Sequence, residues 1–294
     1  MTRQIGYSIF TFEGGDWSRD DFEGLDKGFA AAKHSGFDYV EIPSYVLRTD
    51  LGGHRGSGDT SPRSDVEFLH RMGRVFDMSE RHQVPLSAIF GAANLFREDT
   101  LQWEMDHLVV LARLASTAGI KVLPFTPIGP PVQGTKEATL IGKALSEVGR
   151  QTLSFGVRVA AHPHIDHPIE NPDQIGAFCE ASDPASVWLC LDTGHVLAGG
   201  GDPVKFAEMY GDRITYLHLK DLDSRAYAAA PKIGQEKYLA FRDPGQGDVD
   251  FRGVLRVLEG HGFDGPMVVE NDMSPDPRGS MERAYTYLRS DLGL

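Results

Sequence analysis

The amino-acid sequence predicts an α/β fold of the (β/α)8 TIM-barrel class, built as a single domain over residues 1–294. Three observations predict it. Short apolar runs alternate eight times with longer stretches of helical periodicity. The first run is followed by Thr11-Phe12-Glu13-Gly14-Gly15, which lacks the GxGxxG pattern expected of a doubly wound open sheet. The 294 residues, 41% of them hydrophobic, suffice for one large core, and no Pro- or Ser-rich linker divides them.

The elements follow in order. The run IGYSIF at 5–10 reads as the first strand, and Ser18 announces the helix at 20–34. YVEI at 39–42 is the second strand, followed by an exposed Gly-, Ser- and Arg-rich loop at 50–63 and a helix at 64–81. LSAIF at 86–90 precedes a helix at 100–118, and KVLPF at 121–125 precedes one at 136–154. VRVAAH at 157–162 leads to a helix at 173–180, introduced by the Asn171-Pro172 start signal. VWLCLD at 187–192 pairs with a helix at 203–210, and ITYLHLK at 214–220 with one at 251–259. MVVE at 267–270 and a helix at 281–288 complete the series. Gly36, Gly119, Gly156, Gly211 and Gly262 suit the left-handed residue that closes a helix. Strands separated by helices pair in parallel, because a parallel pair needs a long crossover.

A formal net charge of -13 disfavours a nucleic-acid partner, since such a surface repels a phosphate backbone. The sequence offers neither a signal peptide nor a run able to span a bilayer, so a cytoplasmic protein with no membrane partner is expected. Cys179 and Cys190 lack metal-ligand spacing and read as two reduced, buried thiols. Nothing in the sequence decides whether the chain forms a homo-oligomer.

In a barrel the active site lies at the carboxyl ends of the strands. The first four strand ends offer Tyr7 and Ser8, Glu41, Asn94, and a Thr126–Pro131 stretch without a titratable group. The last four end in His162-Pro163-His164, Asp192-Thr193-Gly194-His195, His218-Leu219-Lys220-Asp221 and Glu270-Asn271-Asp272. Four consecutive strands thus end in a histidine or a carboxylate. Parallel strands in register bring such groups to one rim, and mixed imidazole and carboxylate donors suit one divalent transition ion better than calcium. The expected metal ligands are His162, Asp192, His218 and Glu270, with His164 as the alternative to His162. Manganese is the expected ion, with cobalt, iron, zinc and magnesium as alternatives. His195, three residues past Asp192 across a Thr-Gly turn, is a candidate for proton transfer or contact with a substrate oxygen, as is His164 for proton transfer. Lys220 shares strand parity with His218 and so faces the site as a further catalytic candidate, with an ion pair to a rim carboxylate as the alternative. Glu41 is a candidate substrate contact. The long connection at 222–249 reads as a lid that brings Arg225 or Arg242 to the substrate.

At these residues the sequence resembles the xylose isomerase-like superfamily of metal-dependent TIM barrels. HPHIDHPIEN, LCLDTGHVLAGGGDP, YGDRITYLHLKDLD, FRDPGQGDVDF and GFDGPMVVEND carry the resemblance, with GFDYVEI the clearest piece of the amino-terminal half. The superfamily contains sugar and sugar-phosphate isomerases and epimerases, and the resemblance is strongest to its inosose (2-keto-myo-inositol) dehydratase branch. It implies that Asp192, His218 and Glu270 are metal ligands and that His195 contacts substrate. It also exposes a departure, because the family's usual glutamate at the end of the fifth strand is here His162. A symmetric two-glutamate epimerisation is thereby disfavoured, and the dehydratase branch favoured.

The chemistry expected of such a site is proton abstraction beside a carbonyl, with Glu270 as base. Elimination of a β leaving group then needs one base and one general acid, which His164 or His195 can supply. The expected activity is a metal-dependent lyase acting on a small keto-polyol, cyclitol or keto-sugar. Isomerisation or epimerisation through an enediolate, β-elimination of a 3-keto glycoside, and a non-catalytic sugar-binding barrel are the alternatives. An abasic-site endonuclease from the same superfamily is disfavoured by the negative charge.

Overall fold

The computed structural model describes residues 3–13, 22–47, 65–232, 234–271 and 273–294. Ser18, the Gly14-Gly15 pair, the 50–63 segment and Asp272 lie outside the described residues. Eight parallel strands form one closed barrel in the order β1-β8-β7-β6-β5-β4-β3-β2. The strands are β1 (Gly6–Ser8), β2 (Tyr39–Pro43), β3 (Leu86–Ala93), β4 (Val122–Pro127), β5 (Arg158–Ala161), β6 (Val187–Asp192), β7 (Ile214–Leu219) and β8 (Met267–Val269). The helices are α1 (Phe22–Ser35), α2 (Asp65–His82), α3 (Leu101–Thr117), α4 (Lys136–Leu153), α5 (Pro172–Ala181), α6 (Thr193–Ala198), α7 (Pro203–Tyr210), α8 (Ser224–Ala229), α9 (Phe251–Gly260) and α10 (Pro277–Thr286). Among the described residues no helix is long and apolar enough to cross a membrane.

Strand alternation sorts the side chains into two cores. Leu189, Leu191, Leu217 and Leu219 point outward and pack with the helices in the main core. Ala88, Val122, Ala160, Cys190, Tyr216 and Val268 fill the barrel interior, over Tyr39 and Trp188. Because both faces are covered, every residue of β4 and β7 is buried, which is why these strands read as unbroken apolar runs. One period further along, the inward positions at the carboxyl end become polar. In the β6–β7 register Asp192 faces His218, and Cys190 faces Tyr216. Ser8 of β1 faces Glu41 of β2.

The Asn171-Pro172 start signal, the expected one within the described residues, carries a real cap. Asn171 accepts from Gln174 N in a reciprocal capping box, with Pro172 in the first turn of α5. Gly36, Gly119, Gly156 and Gly262 have φ of 91, 75, 74 and 72°, the left-handed backbone that glycine adopts without strain. Gly211 departs from that expectation: its φ is -53°, and its role is close approach, since a Cβ there would lie 2.4 Å from the His261 ring.

Several boundaries differ from expectation, and β3 and β4 run on to Ala93 and Pro127. Ile9 and Phe10 leave the first strand for a 3-10 turn over Ile9–Glu13. The last helix begins at Pro277 rather than 281, because Asp276 caps it by accepting from Gly279 N. The turn expected after Asp192 is the short helix α6, so His195 stands in a first helical turn. Gly194 does not bend the chain there; a Cβ would lie 2.7 Å from Cγ of Lys220.

Candidate metal centre

Donor atoms of His162, Asp192, His218 and Glu270 all lie within 4.8 Å of one another at the rim of the barrel. Each strand delivers its residue where the apolar run ends. His162 follows β5, its N–H donating to Phe125 O at 2.9 Å. Asp192 ends β6, His218 is the fifth residue of β7, and Glu270 follows β8, its N–H reaching Leu219 O at 3.3 Å. The first three are buried, whereas the Glu270 side chain keeps 14% exposure. Glu270 is thus the donor of the four with most access to a ligand.

The ligating orientation is built by neighbours. Asp192 splits its oxygens: Oδ1 accepts from His195 N at 2.7 Å as the cap of α6, while Oδ2 lies 3.3 Å from His162 Nε2 and 3.7 Å from His218 Nδ1. His218 Nε2 lies 3.0 Å from Glu41 Oε2. With Nε2 held by Glu41, Nδ1 is the nitrogen turned toward the carboxylates, buried and 2.7 Å from Glu270 Oε2. His162 Nδ1 lies 3.4 Å from Thr126 Oγ1, which leaves its Nε2 facing Asp192. Each imidazole therefore has one nitrogen anchored and the other aimed at the carboxylates, the arrangement a metal-binding histidine needs. Phe90 packs edge-on against His162 at 5.2 Å and tilted over His218 at 5.5 Å, fixing both rings.

The charges fit a cation. Three carboxyl groups, Glu41, Asp192 and Glu270, surround His218 and Lys220. Burial opposes ionisation of Asp192, but Lys220, His195, His162 and His218 outweigh it and hold its carboxyl well below the usual carboxylate range. Burial disfavours the His218 cation, yet Glu41, Cys190, Glu270 and Asp192 raise it well above the ordinary histidine value. Burial keeps His162, His164 and His195 below it, as neutral imidazoles with lone pairs to offer. Four converging nitrogen and oxygen donors of this type suit a divalent transition ion.

His164 is not part of the donor set. Its ring lies 3.7 Å from that of His195, centroid to centroid, and 4.8 Å from that of His167. His195 Nε2 lies 3.0 Å from Lys220 Nζ, and Lys220, wholly buried, is 3.4 Å from both Asp192 Oδ2 and Glu270 Oε2. Lys220 and His218 thus face the same way, as their parity requires. Glu41 stands apart from the substrate contact expected of it: it is buried behind the His218 ring, at the nitrogen opposite the donor set.

The described residues of 222–249 fold over the His195 side of the site. A two-stranded hairpin pairs Asp221–Leu222 with Phe241–Arg242, and α8 and a 3-10 turn at Glu236–Ala240 lie between them. Leu222, Ala240 and Phe241 are buried with Ile165, and the Phe241 ring lies 4.9 Å from His195 and 5.1 Å from Lys220 Nζ. Asp221 holds the following turn by accepting from Gly245, Gly247 and Val249 N–H groups at 2.8–3.0 Å. Gly247 cannot carry a side chain there, because a Cβ would lie 2.5 Å from Asp221 Oδ1. Asp166 grips the cover through Lys237 Nζ at 2.5 Å and Tyr238 OH at 3.1 Å. The two arginines do not reach the site. Arg242 donates to Leu239 O and Phe241 O of its own loop and pairs with Asp223, and Arg225 is exposed on α8.

Sequence reasoning passed over Phe90 and Phe241, and read Cys190 only as a buried thiol. The two aromatics read as ordinary core or loop residues. Cys190 is buried, and with His162 and His218 it forms a second group of potential ligands. Cys179, expected to be buried, is half-buried on α5.

Residues 29–290 match the family of xylose isomerase-like TIM barrels. The inosose dehydratase of Clostridium tetani is 28% identical over 262 residues, covering 80% of this chain and 83% of that protein. The inosose dehydratase of Clostridium perfringens strain 13 is 25% identical over 305 residues, 95% of each chain. Among solved structures, the IolI protein with a bound zinc atom superposes with a TM-score of 0.67 at 19% identity, covering 97% of this chain and 94% of that one.

Proposed function

This chain belongs to the xylose isomerase-like TIM barrel family, and from that premise we propose that it is a divalent-metal-dependent carbon–oxygen lyase. It dehydrates a small keto-polyol, cyclitol or keto-sugar, in the manner of its inosose dehydratase relatives. His162, Asp192, His218 and Glu270 hold the ion. The bound ion stabilises negative charge developing on a carbonyl oxygen of the substrate. A zinc atom bound by the IolI protein, a structural neighbour, supports a metal-binding barrel.

The observation that carries the reading is the asymmetry of the site. One accessible carboxylate, Glu270, faces a wall of imidazoles and one ammonium: His162, His164, His195 and Lys220. Glu270 removes the proton beside the carbonyl. The proton that leaves with the departing hydroxyl comes from the cluster of Lys220, the one ammonium there, with His195 and His164, whose rings lie 3.7 Å apart at a 34° tilt. Lys220 Nζ sits beside His195 Nε2 and keeps that ring oriented. Elimination needs one base and one acid, and the site supplies one of each. A two-base epimerase needs a second carboxylate where His162 stands. The 222–249 cover, with Phe241 as its inner wall, keeps water from the intermediate.

The test is to incubate the manganese- or zinc-loaded protein with an inosose, a ketohexose and a 3-keto glycoside and follow product mass. A product lighter by one water is expected from the inosose. An isomer of unchanged mass assigns the site to isomerisation or epimerisation instead, and loss of an aglycone from the glycoside assigns it to β-elimination of glycosides.

A further inference from the structure

Cys190 precedes Asp192 by two residues on β6 and so points into the barrel from the same face. It lies one layer below the carboxylates, among the small interior residues Ala88, Ala160 and Val268. Its sulfur lies within 4.8 Å of donor nitrogens of His162 and His218. Both histidines also belong to the nitrogen–oxygen set above. His218 Nδ1 is buried, makes no hydrogen bond among the described residues and lies 2.7 Å from Glu270 Oε2, so it is a donor within the centre.

We propose that the centre is two-tiered: His162 and His218 are shared between an upper, oxygen-bearing set with Asp192 and Glu270 and a lower, sulfur-bearing set with Cys190. Sharing both imidazoles makes the tiers alternatives for one ion. A hard ion such as manganese favours the carboxylate tier. A thiophilic ion such as cadmium is drawn to the thiolate tier, its binding displacing the thiol proton to solvent. The lower position moves the ion away from Glu270, so a thiophilic ion blocks the centre while filling it. The inference rests on the metal reading above and adds the identity of a fifth donor.

The experiment is a cadmium titration of chelator-stripped full-length protein, followed by thiolate-to-metal charge-transfer absorption, in the wild type, Cys190→Ser and Cys179→Ser. The chain has two cysteines, so the two variants separate their contributions. The expected result is one cadmium per chain with a charge-transfer band in the wild type and in Cys179→Ser, and no band in Cys190→Ser. Cys190→Ser should weaken cadmium by on the order of tenfold or more and leave manganese affinity within about twofold. Cadmium bound at unit stoichiometry without a band, or a band that survives in Cys190→Ser, overturns the lower tier and leaves the upper one standing. If neither cadmium nor manganese binds, both tiers fall. Unfolding curves of the apo variants verify that each is folded before titration.

Discussion

Asp192 shows how one side chain serves fold and chemistry together. One oxygen caps α6 and the other faces His162 and His218, so the helix start and the donor set are fixed by the same carboxylate. Glu41 does comparable work from behind the site by holding Nε2 of His218. Glu41→Gln should lower metal affinity by roughly 10–100-fold, the usual effect of removing an outer-shell partner; isothermal titration with manganese and zinc checks it. Glu270→Gln should cut turnover by on the order of a hundredfold or more, the range for a lost general base. Glu104 offers a residue-scale test away from the metal. It is buried in the first turn of α3 with Oε2 lacking a hydrogen bond among the described residues, and burial pushes its carboxyl from 4.5 up to about 7. The folded protein therefore keeps a proton that the unfolded chain releases. The stability this gives is complete below pH 4.5 and is lost as pH rises to about 7. Urea unfolding at pH 5 and pH 8 should show that Glu104→Gln flattens this decline by about 2 kcal/mol. An unchanged slope would mean that Glu104 is ionised normally.

At the scale of elements, the cover over the site is held by a few polar clasps. Asp166 adopts a φ of 64°, a left-handed conformation that Asp tolerates, and from there grips Lys237 and Tyr238. Asp166→Asn keeps that backbone tolerance and removes the ion pair. It should raise KM several-fold and speed proteolysis within 230–240, with little change in global stability, because the Asp166 carboxylate is partly exposed. Parallel rates of cleavage in variant and wild type would show that the clasp is idle. The elements also explain what the sequence revealed. Strands buried on both faces stand out as apolar runs, so β6 spans the predicted residues 187–192. The helix α6 was not legible, because its six residues begin Thr-Gly and its cap is Asp192, itself read as a ligand. Arg242 read as a substrate arm because a basic residue in a long loop has no visible partner in sequence. Its partners are carbonyls of its own turn, which only the folded loop brings close.

For the whole molecule, the barrel makes four distant strand ends into one site. The polar residue closing each apolar run was enough to find His162, Asp192, His218 and Glu270, because parallel register carries strand ends to one rim. Cys190 read only as a buried thiol because a cysteine inside an apolar strand looks like core; its even spacing from Asp192 was the available further signal. A donor set that exists only in the folded barrel couples metal binding to folding. Divalent ion at about a hundred times its dissociation constant should stabilise the protein by about 2.7 kcal/mol, visible as a rise in Tm that a chelator reverses. The most direct test of the central claim is elemental analysis after equilibrium dialysis of stripped protein against manganese or zinc, with His218→Asn beside the wild type. One ion per chain in the wild type, lost in the folded variant, is the expected result. No bound ion, or an ion retained undiminished in His218→Asn, would contradict the account.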